Sequence, residues 1–387
     1  MSGRAPQPVV VDVHDRGAVA GLRGLGAAGL HPAALGRRWT DAGLWSRHAA
    51  ARAVVAPDDR AAAVLGSALA ALAARTGTTV VPYPSTERGV DAVIDAAQER
   101  AAVVAPFPID AVQRLRRKST LGELAAEGGV AAPVWLSATA AELLTATVPA
   151  PCVVKCDRPI GALPTTLVAS STGELRAILR ALPADEPLVV QPRLRGPLVC
   201  LGIVVGEHGR VVERFQHVTS ATWPETAGST ARARSVAPDE ELIARAARVL
   251  AAAGYRGIAE MDFLQGPDGL MLVDVNPRYY GSLALALAAG VNLPRAWHAV
   301  VSDAPLPAPS RYRTGVTYRW LAADWFALAR GRPNRLVRRA GRPRTGPMWQ
   351  ADDPFPGALL TGHALAERVA ARANRRRPGR PIRRLLG

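Results

Sequence analysis

Along residues 8 to 110 the apolar positions fall in short Val-rich runs, "VVVDV" (9–13), "AVVAP" (53–57), "TVVPY" (79–83) and "AAVVAP" (101–106), separated by Ala-rich stretches. That alternation of strand-like and helical patterns predicts a parallel α/β domain. The longest nearly apolar stretch, "AAAVLGSALAALAA" (61–74), is too short to span a bilayer and predicts a buried helix. "GLGAAG" (24–29) has the formal spacing of a dinucleotide loop, but Gly24 comes well after the first strand, where the helix should be ending. These glycines therefore read as helix-end and turn residues.

Beyond residue 110 the pattern changes. "AVQRLRRKSTLGELAAEGGVAAPVW" (111–135) predicts a helix carrying Lys118, then a glycine turn into extended chain. "PCVVKCD" (151–157) predicts a strand presenting Lys155, "TTLVAS" (165–170) another, and "TGELRAILRAL" (172–182) a helix. "EPLVVQPRLRG" (186–196) reads as a strand ending in an irregular piece, and 198–218 as a hairpin turning at Gly206 to Gly209. The helical pattern "DEELIARAARVLAAAGY" (239–255) leads into "EMDFL" and "LMLVDVN", two strands separated by the turn-rich "QGPDG". No internal repeat is evident.

Composition narrows the class. A chain of 387 residues with 49% hydrophobic content has enough apolar material for two or three folded domains. Cys152, Cys156 and Cys200 do not make a disulfide framework. The start "MSGRAPQPVVVDVHD" has no apolar stretch after its Arg, so the expectation is an intracellular, cytoplasmic protein. Cys152 and Cys156 flank Lys155 and read as core residues, since a metal site needs more ligands. The net charge of +16 is concentrated: residues 311–387 hold 18 Arg against four acidic residues, 18 − 4 = +14, which leaves +2 for residues 1–310.

Of the 48 basic residues 46 are Arg, and Lys118 and Lys155 are the two lysines. A bias that converts almost every surface cation to Arg leaves Lys where a compact ammonium does what a planar guanidinium does not, as in a tight phosphate pocket. The hairpin at 259–276 poses a second puzzle. It sets Asp262, Asp274 and Asn276 on neighbouring strands, with Arg278 two residues further on, and facing carboxylates repel unless something positive lies between them.

The ordered set of Lys118 before "GGVAAP", Lys155 in "VVK", the strand-to-turn "VVQPRLRG" and the closing "D-x11-D-x-N-P-R" resembles the ATP-grasp superfamily over residues 110 to 300. The resemblance implies a fold in which an N-terminal α/β domain (1–110) precedes two α+β lobes (111–185 and 186–310) that clamp Mg-ATP. The Arg-rich extension (311–387) would follow, its end unstructured. It also implies an ATP-dependent ligase that makes an acyl phosphate from a carboxylate, passes it to an amine and releases ADP. A thiol or bicarbonate nucleophile stays open, as does a degenerate nucleotide-binding module that uses the basic tail.

The same resemblance assigns the residues. Asp262, Asp274 and Asn276 would hold Mg2+, with Mn2+ the alternative hard cation. Lys118 and Lys155 would contact the phosphates, and Arg278 would steady the transferring group. Gln191, Pro192, Arg193 and Leu194 would hold adenine and its surroundings through the hinge backbone, a role compatible with Pro192 because proline keeps its carbonyl. Leu198 stands where many members carry a ribose-binding Glu. The covering loop "CDRPIGALP" (156–164) has one glycine where the family is glycine-rich.

Glu260 reads equally as an outward-facing hairpin residue. His217, Trp223 and Arg232, in "HVTSATWPETAGSTARARS" (217–235), read as acceptor-pocket candidates or as loop packing. "LWSRHAAARAVVAP" (44–57) further resembles the N-terminal domain of ATP-grasp carboligases. The basic tail has few aromatics and no recognised nucleic-acid fold, so the expected partners are small-molecule carboxylate and amine substrates and no nucleic acid, with an anionic surface as the tail's candidate contact.

Overall fold

The computed structural model describes residues 5–55, 61–133, 136–157, 166–225, 227–266, 269–329 and 349–362. Three sheets organise them. Strands β1 (Gln7–Val10), β2 (Ala33–Gly36), β3 (Ala51–Val54) and β4 (Val80–Tyr83) form a parallel sheet in the order β3-β2-β1-β4. All four residues of β2 and of β4 are buried, as a sheet covered on both faces by helices requires. The stretch 101–106 contributes only an isolated bridge from Val103 to Val80 rather than a fifth strand. Gly24 and Gly26 lie inside the helix Arg16–Ala27, packed against Pro294 and His48, while Gly29 takes the left-handed turn that follows.

The second sheet is antiparallel: β5 (Leu136–Thr139), β6 (Cys152–Cys156), β7 (Thr166–Ala169) and β8 (Pro187–Pro192), in the order β5-β8-β6-β7. Alternate residues Cys152, Val154 and Cys156 of β6, with Leu188 and Val190 of β8, fill a small core with Leu143, Leu175 and Leu179 of its helices. Cys152 and Cys156 are free thiols buried in that core. The opposite face of β6 and β8 therefore carries Val153, Lys155, Val189 and Gln191.

The third sheet has β9 (Leu198–Val205), β10 (Val211–Trp223), β11 (Ser229–Ser235), β12 (Gly257–Gly266), β13 (Gly269–Asn276) and β14 (Thr317–Arg319), in the order β13-β12-β9-β10-β11-β14. The segment 217–235 is thus a long hairpin and not a loop, with register shifts near Ala221 absorbing its irregular sequence. Past residue 310, Thr317–Arg319 forms the edge strand β14 just before the helix Leu321–Ala329.

The large core joins the first and third sheets. Tyr279, Tyr280 and Trp297 are fully buried in it, and Tyr279 and Trp297 pack edge-on at 5.1 Å between centroids. Among the described residues no helix is long and apolar enough to cross a membrane. The Arg runs at 335–346 and 375–387 and most of the 156–164 loop lie outside the described residues.

Candidate functional site

Pairing in the β12–β13 hairpin sets Asp262 directly opposite Asp274, and Glu260 opposite Asn276. A register shift beside Asp262 pushes Val273 out of the ladder. The freed Val273 carbonyl accepts from the Lys155 ammonium, which reaches across from β6 and is 4% exposed. Lys118 completes the group by pairing with Asp274. The sequence predicts Lys118 on a helix, but the helix Ile109–Arg116 ends first, because the Thr120 hydroxyl caps the carbonyls of Arg114 and Arg117. Lys118 thus sits in the turn between two helices, and its amide donates to the Asp157 carbonyl just past β6. Three separate stretches of chain bring the two lysines and two aspartates together.

The charges are mutually dependent. Burial pulls Lys155 from the ordinary 10.5 down to about 8, against the attraction of Asp274. Burial and the Asp274 charge lift Asp262 to about 6. Burial would lift Asp274 as well, but Lys118 and Lys155 outweigh it and hold that carboxyl below its usual range. One acid of the pair is stabilised as the anion while the other is held near neutral poise, the ordinary outcome for facing carboxylates.

Arg278 is tethered to the first domain. Its Nε donates to Glu87 Oε1 at 2.7 Å, one terminal nitrogen reaches the carbonyls of Ser85 and Tyr279, and the other reaches Asn276 Oδ1 at 3.0 Å. Four of the guanidinium's five N–H groups are thereby used among the described residues, leaving one. Glu87 also receives Arg116 at 2.7 Å. Burial raises the Glu87 carboxyl, but Arg278, Arg116 and Lys118 overcome it and hold it at about 2.

Glu87 belongs to none of the motifs in the sequence. The signal that points to it is its place just after the carboxyl end of β4, where open α/β sheets put their functional loops, at the start of a helix capped by Thr86.

Glu260 is buried rather than outward-facing. It accepts from Ser282 Oγ at 3.0 Å, and burial followed by the Asp262 charge drives its carboxyl well above the usual range. Of the three acceptor-pocket candidates, Arg232 pairs with Asp324 at 3.0 Å and Trp223 stacks on Phe326 at 6.1 Å, so both pack the helix Leu321–Ala329. His217 instead points into the sheet interior and is fully buried. The hinge residues lie at the end of β8. Gln191 shares the sheet face of Lys155, and its buried Oε1 has no hydrogen-bond partner among the described residues. Pro192 is exposed, Arg193 donates its amide to the Pro151 carbonyl, and Leu194 follows in the turn towards β9.

The donor set suits a hard cation: two carboxylates and a carboxamide oxygen, with Asp262 Oδ1 buried and unpartnered among the described residues. The Lys118 ammonium rests on Asp274, against one of the oxygens such an ion would take. Two lysines beside them match a polyphosphate, and the unpartnered Gln191 oxygen matches a donor on a bound ligand.

Solved structures share this architecture at low sequence identity. The biotin carboxylase–β-γ-ATP complex from Campylobacter jejuni superposes with a TM-score of 0.63 at 14% identity, over 81% of this chain and 75% of that one. N5-carboxyaminoimidazole synthetase from Staphylococcus aureus complexed with ADP gives 0.62 at 12%, over 82% of both chains. An L-amino acid ligase from Bacillus licheniformis gives 0.58 at 13%, over 77% of this chain and 75% of that one. A search of curated proteins by sequence finds no match. The three-sheet architecture and these likenesses give the chain the ATP-grasp fold. Residues 184–323 match the family described as ATP-grasp in the biosynthetic pathway with Ter operon.

Proposed function

We propose that the protein is an ATP-dependent ligase that converts a carboxylate into an acyl phosphate for attack by an amine, releasing ADP and phosphate. The observation that carries this reading is the assembly of Lys118, Lys155, Asp262 and Asp274 from three parts of the chain around one face of the β12–β13 hairpin. Like charges facing across a ladder are tolerated where their purpose is to bind something of opposite sign.

In this reading Asp262, Asp274 and Asn276 hold Mg2+, which when bound neutralises charge on the transferring phosphate. Lys118 moves from Asp274 to the nucleotide phosphates, and Lys155 meets them from the small-lobe sheet. Gln191, Pro192, Arg193 and Leu194 hold the base from the hinge, Gln191 through its unpartnered side chain and the others through backbone groups. The remaining N–H of Arg278 steadies the phosphoryl group, while its bonds to Glu87 and Asn276 fix the guanidinium plane. The chain then divides near residues 110, 185 and 310 into an N-terminal domain, a small lobe, a large lobe and a C-terminal extension, the last lending β14 to the large-lobe sheet.

The test supplies purified protein with Mg-ATP and pooled carboxylates and amines, and follows the nucleotide product together with the substrates consumed. ADP with phosphate, dependent on one carboxylate and one amine, is the expected result. AMP with pyrophosphate, or no turnover with any pair, would count against the reading.

A further inference from the structure

Next to the Asp262–Asp274 pair, the same row of the large-lobe sheet continues inward. Cys200 on β9 pairs with Asp262 on one side and with His217 on the other, so Asp274, Asp262, Cys200 and His217 occupy consecutive rungs across four strands. Glu260 lies two residues along β12 from Asp262 and shares its face. The Cys200 sulfur, one imidazole nitrogen of His217 and one Glu260 carboxylate oxygen all lie within 4.8 Å of one another. Ligands on a tetrahedral zinc ion sit roughly 3.3–3.7 Å apart, given bonds of about 2.0–2.3 Å, so modest side-chain rotation closes the set.

A second observation is independent of that proximity. His217 is 0% exposed, and neither of its ring nitrogens has a hydrogen-bond partner among the described residues. A buried imidazole in a core ordinarily donates from one nitrogen and accepts at the other, and leaving both unmatched is costly enough that native cores rarely do so. Two more unpartnered polar atoms lie in the same region. One is Asp262 Oδ1. The other is the Tyr280 hydroxyl, which sits over Gly202, directly opposite Glu260, where a Cβ would come within 2.1 Å of it.

Neighbouring groups hold the three candidates in place. Ser282 donates to Glu260, Thr219 Oγ1 lies 3.6 Å from the Cys200 sulfur, and the His217 ring stacks on Phe215 at 5.8 Å.

We propose that Cys200, His217 and Glu260 form a second cation site, distinct from the Asp262–Asp274–Asn276 set, that takes one borderline-soft divalent ion of the zinc or cobalt class. A thiolate and an imidazole select such an ion over Mg2+, which takes oxygen donors. Binding replaces the thiol proton, which leaves to solvent, with a metal–sulfur bond. Three protein donors leave the fourth tetrahedral position open, as in catalytic rather than closed structural sites. The three donors lie on the sheet face that carries Asp262 and Asp274, one rung from Asp262. The assignment of the ion depends on Cys200, His217 and Glu260 alone and does not rest on the ligase reading.

The test titrates Co2+ into chelator-treated full-length protein and follows the near-ultraviolet charge-transfer band that a cobalt–thiolate bond gives. The expected result is one equivalent bound with that band, displaced by one equivalent of Zn2+. Cys200→Ser should abolish the band, His217→Gln should weaken Co2+ binding at least tenfold, and Asp274→Asn should leave the band in place, with thermal melts confirming that each variant is folded. The proposal is overturned if the folded wild-type protein shows no thiolate band, or if the band persists in Cys200→Ser. The wild-type titration decides the matter even where a variant fails to fold.

Discussion

Arg278 and Glu87 are 191 positions apart in sequence, yet Nε of one lies 2.7 Å from Oε1 of the other. The contact ties the end of the β12–β13 hairpin to the first turn of a helix in the N-terminal domain. It also makes Glu87 the anion shared by Arg278 and Arg116.

Glu87→Gln should therefore destabilise the protein at neutral pH by about 1–3 kcal/mol, since two partly buried guanidiniums lose their shared partner. The acid dependence follows from the sign of the shift. The folded carboxyl titrates at about 2 against an ordinary 4.5, so its contribution is complete above about pH 4.5 and is lost as pH falls towards 2. Urea unfolding at pH 7 and near pH 2.5 should show the gap between wild type and variant shrinking at the lower pH. A gap that does not change with pH would falsify the pairing. Arg278→Lys should lower turnover as well, because an ammonium does not replace a fork that holds four acceptors at once.

Asp274→Ala should remove turnover while leaving the fold intact. The substitution relieves the repulsion with Asp262 but strands Lys118, and the two effects oppose each other. A melting temperature within a few degrees of wild type, with ADP release at background, is the expected pair of measurements. Full turnover in the folded variant would remove Asp274 from the site.

Lys155 predicts a pH dependence for nucleotide binding. Its ammonium loses the proton near pH 8 in the free protein, whereas a phosphate contact requires it charged. Affinity for ATP should thus fall above pH 8, approaching tenfold per pH unit. Lys155→Arg should bind more weakly at pH 7 but lose that dependence. For stability the sign runs the other way: between about pH 8 and 10.5 the unfolded chain holds the proton that the native lysine has shed, so this group's contribution rises with pH. Calorimetry at pH 7, 8 and 9 checks the affinity; an unchanged affinity at pH 9 would take Lys155 out of phosphate binding.

Deleting residues 375–387 should leave ATP turnover within about twofold, since every proposed contact to nucleotide or metal precedes residue 280. If those arginines dock to an anionic surface, vesicle binding should weaken on deletion and with added salt. Loss of turnover in the folded truncation would bring the tail into the active site.

What the sequence discloses follows from how local the physics is. The hairpin at 257–276, with Asp262 facing Asp274, is legible because turn residues and strand alternation fix register over a short span. The isolation of two lysines among arginines is legible from composition. Lys118's true position was hidden because a hydroxyl two residues on ends the helix before the pattern does. The partners of Glu87, Cys200 and His217 are hidden for a different reason: packing of the first sheet on the third sets those of Glu87, strand order within the third sheet sets those of Cys200 and His217, and no nearby residue records either. His217 was further masked by Ser, Thr, Gly and Pro around it, which resemble a loop until β9 and β11 pair on either side.

The helix Arg16–Ala27 bears on how the chain reaches its native state during synthesis. Arg23, 2% exposed, donates to Asp353, 330 positions downstream, and Arg16 donates to the Thr230 carbonyl and the Tyr318 hydroxyl while lying 3.6 Å from the Trp320 ring centroid. Both arginines belong to one helix, which is synthesised well before Thr230, Tyr318, Trp320 and Asp353. A nascent first sheet must therefore wait until residue 353 has been made before Arg23 meets Asp353, and the stability that this buried pair lends arrives after translation has run 330 residues past it.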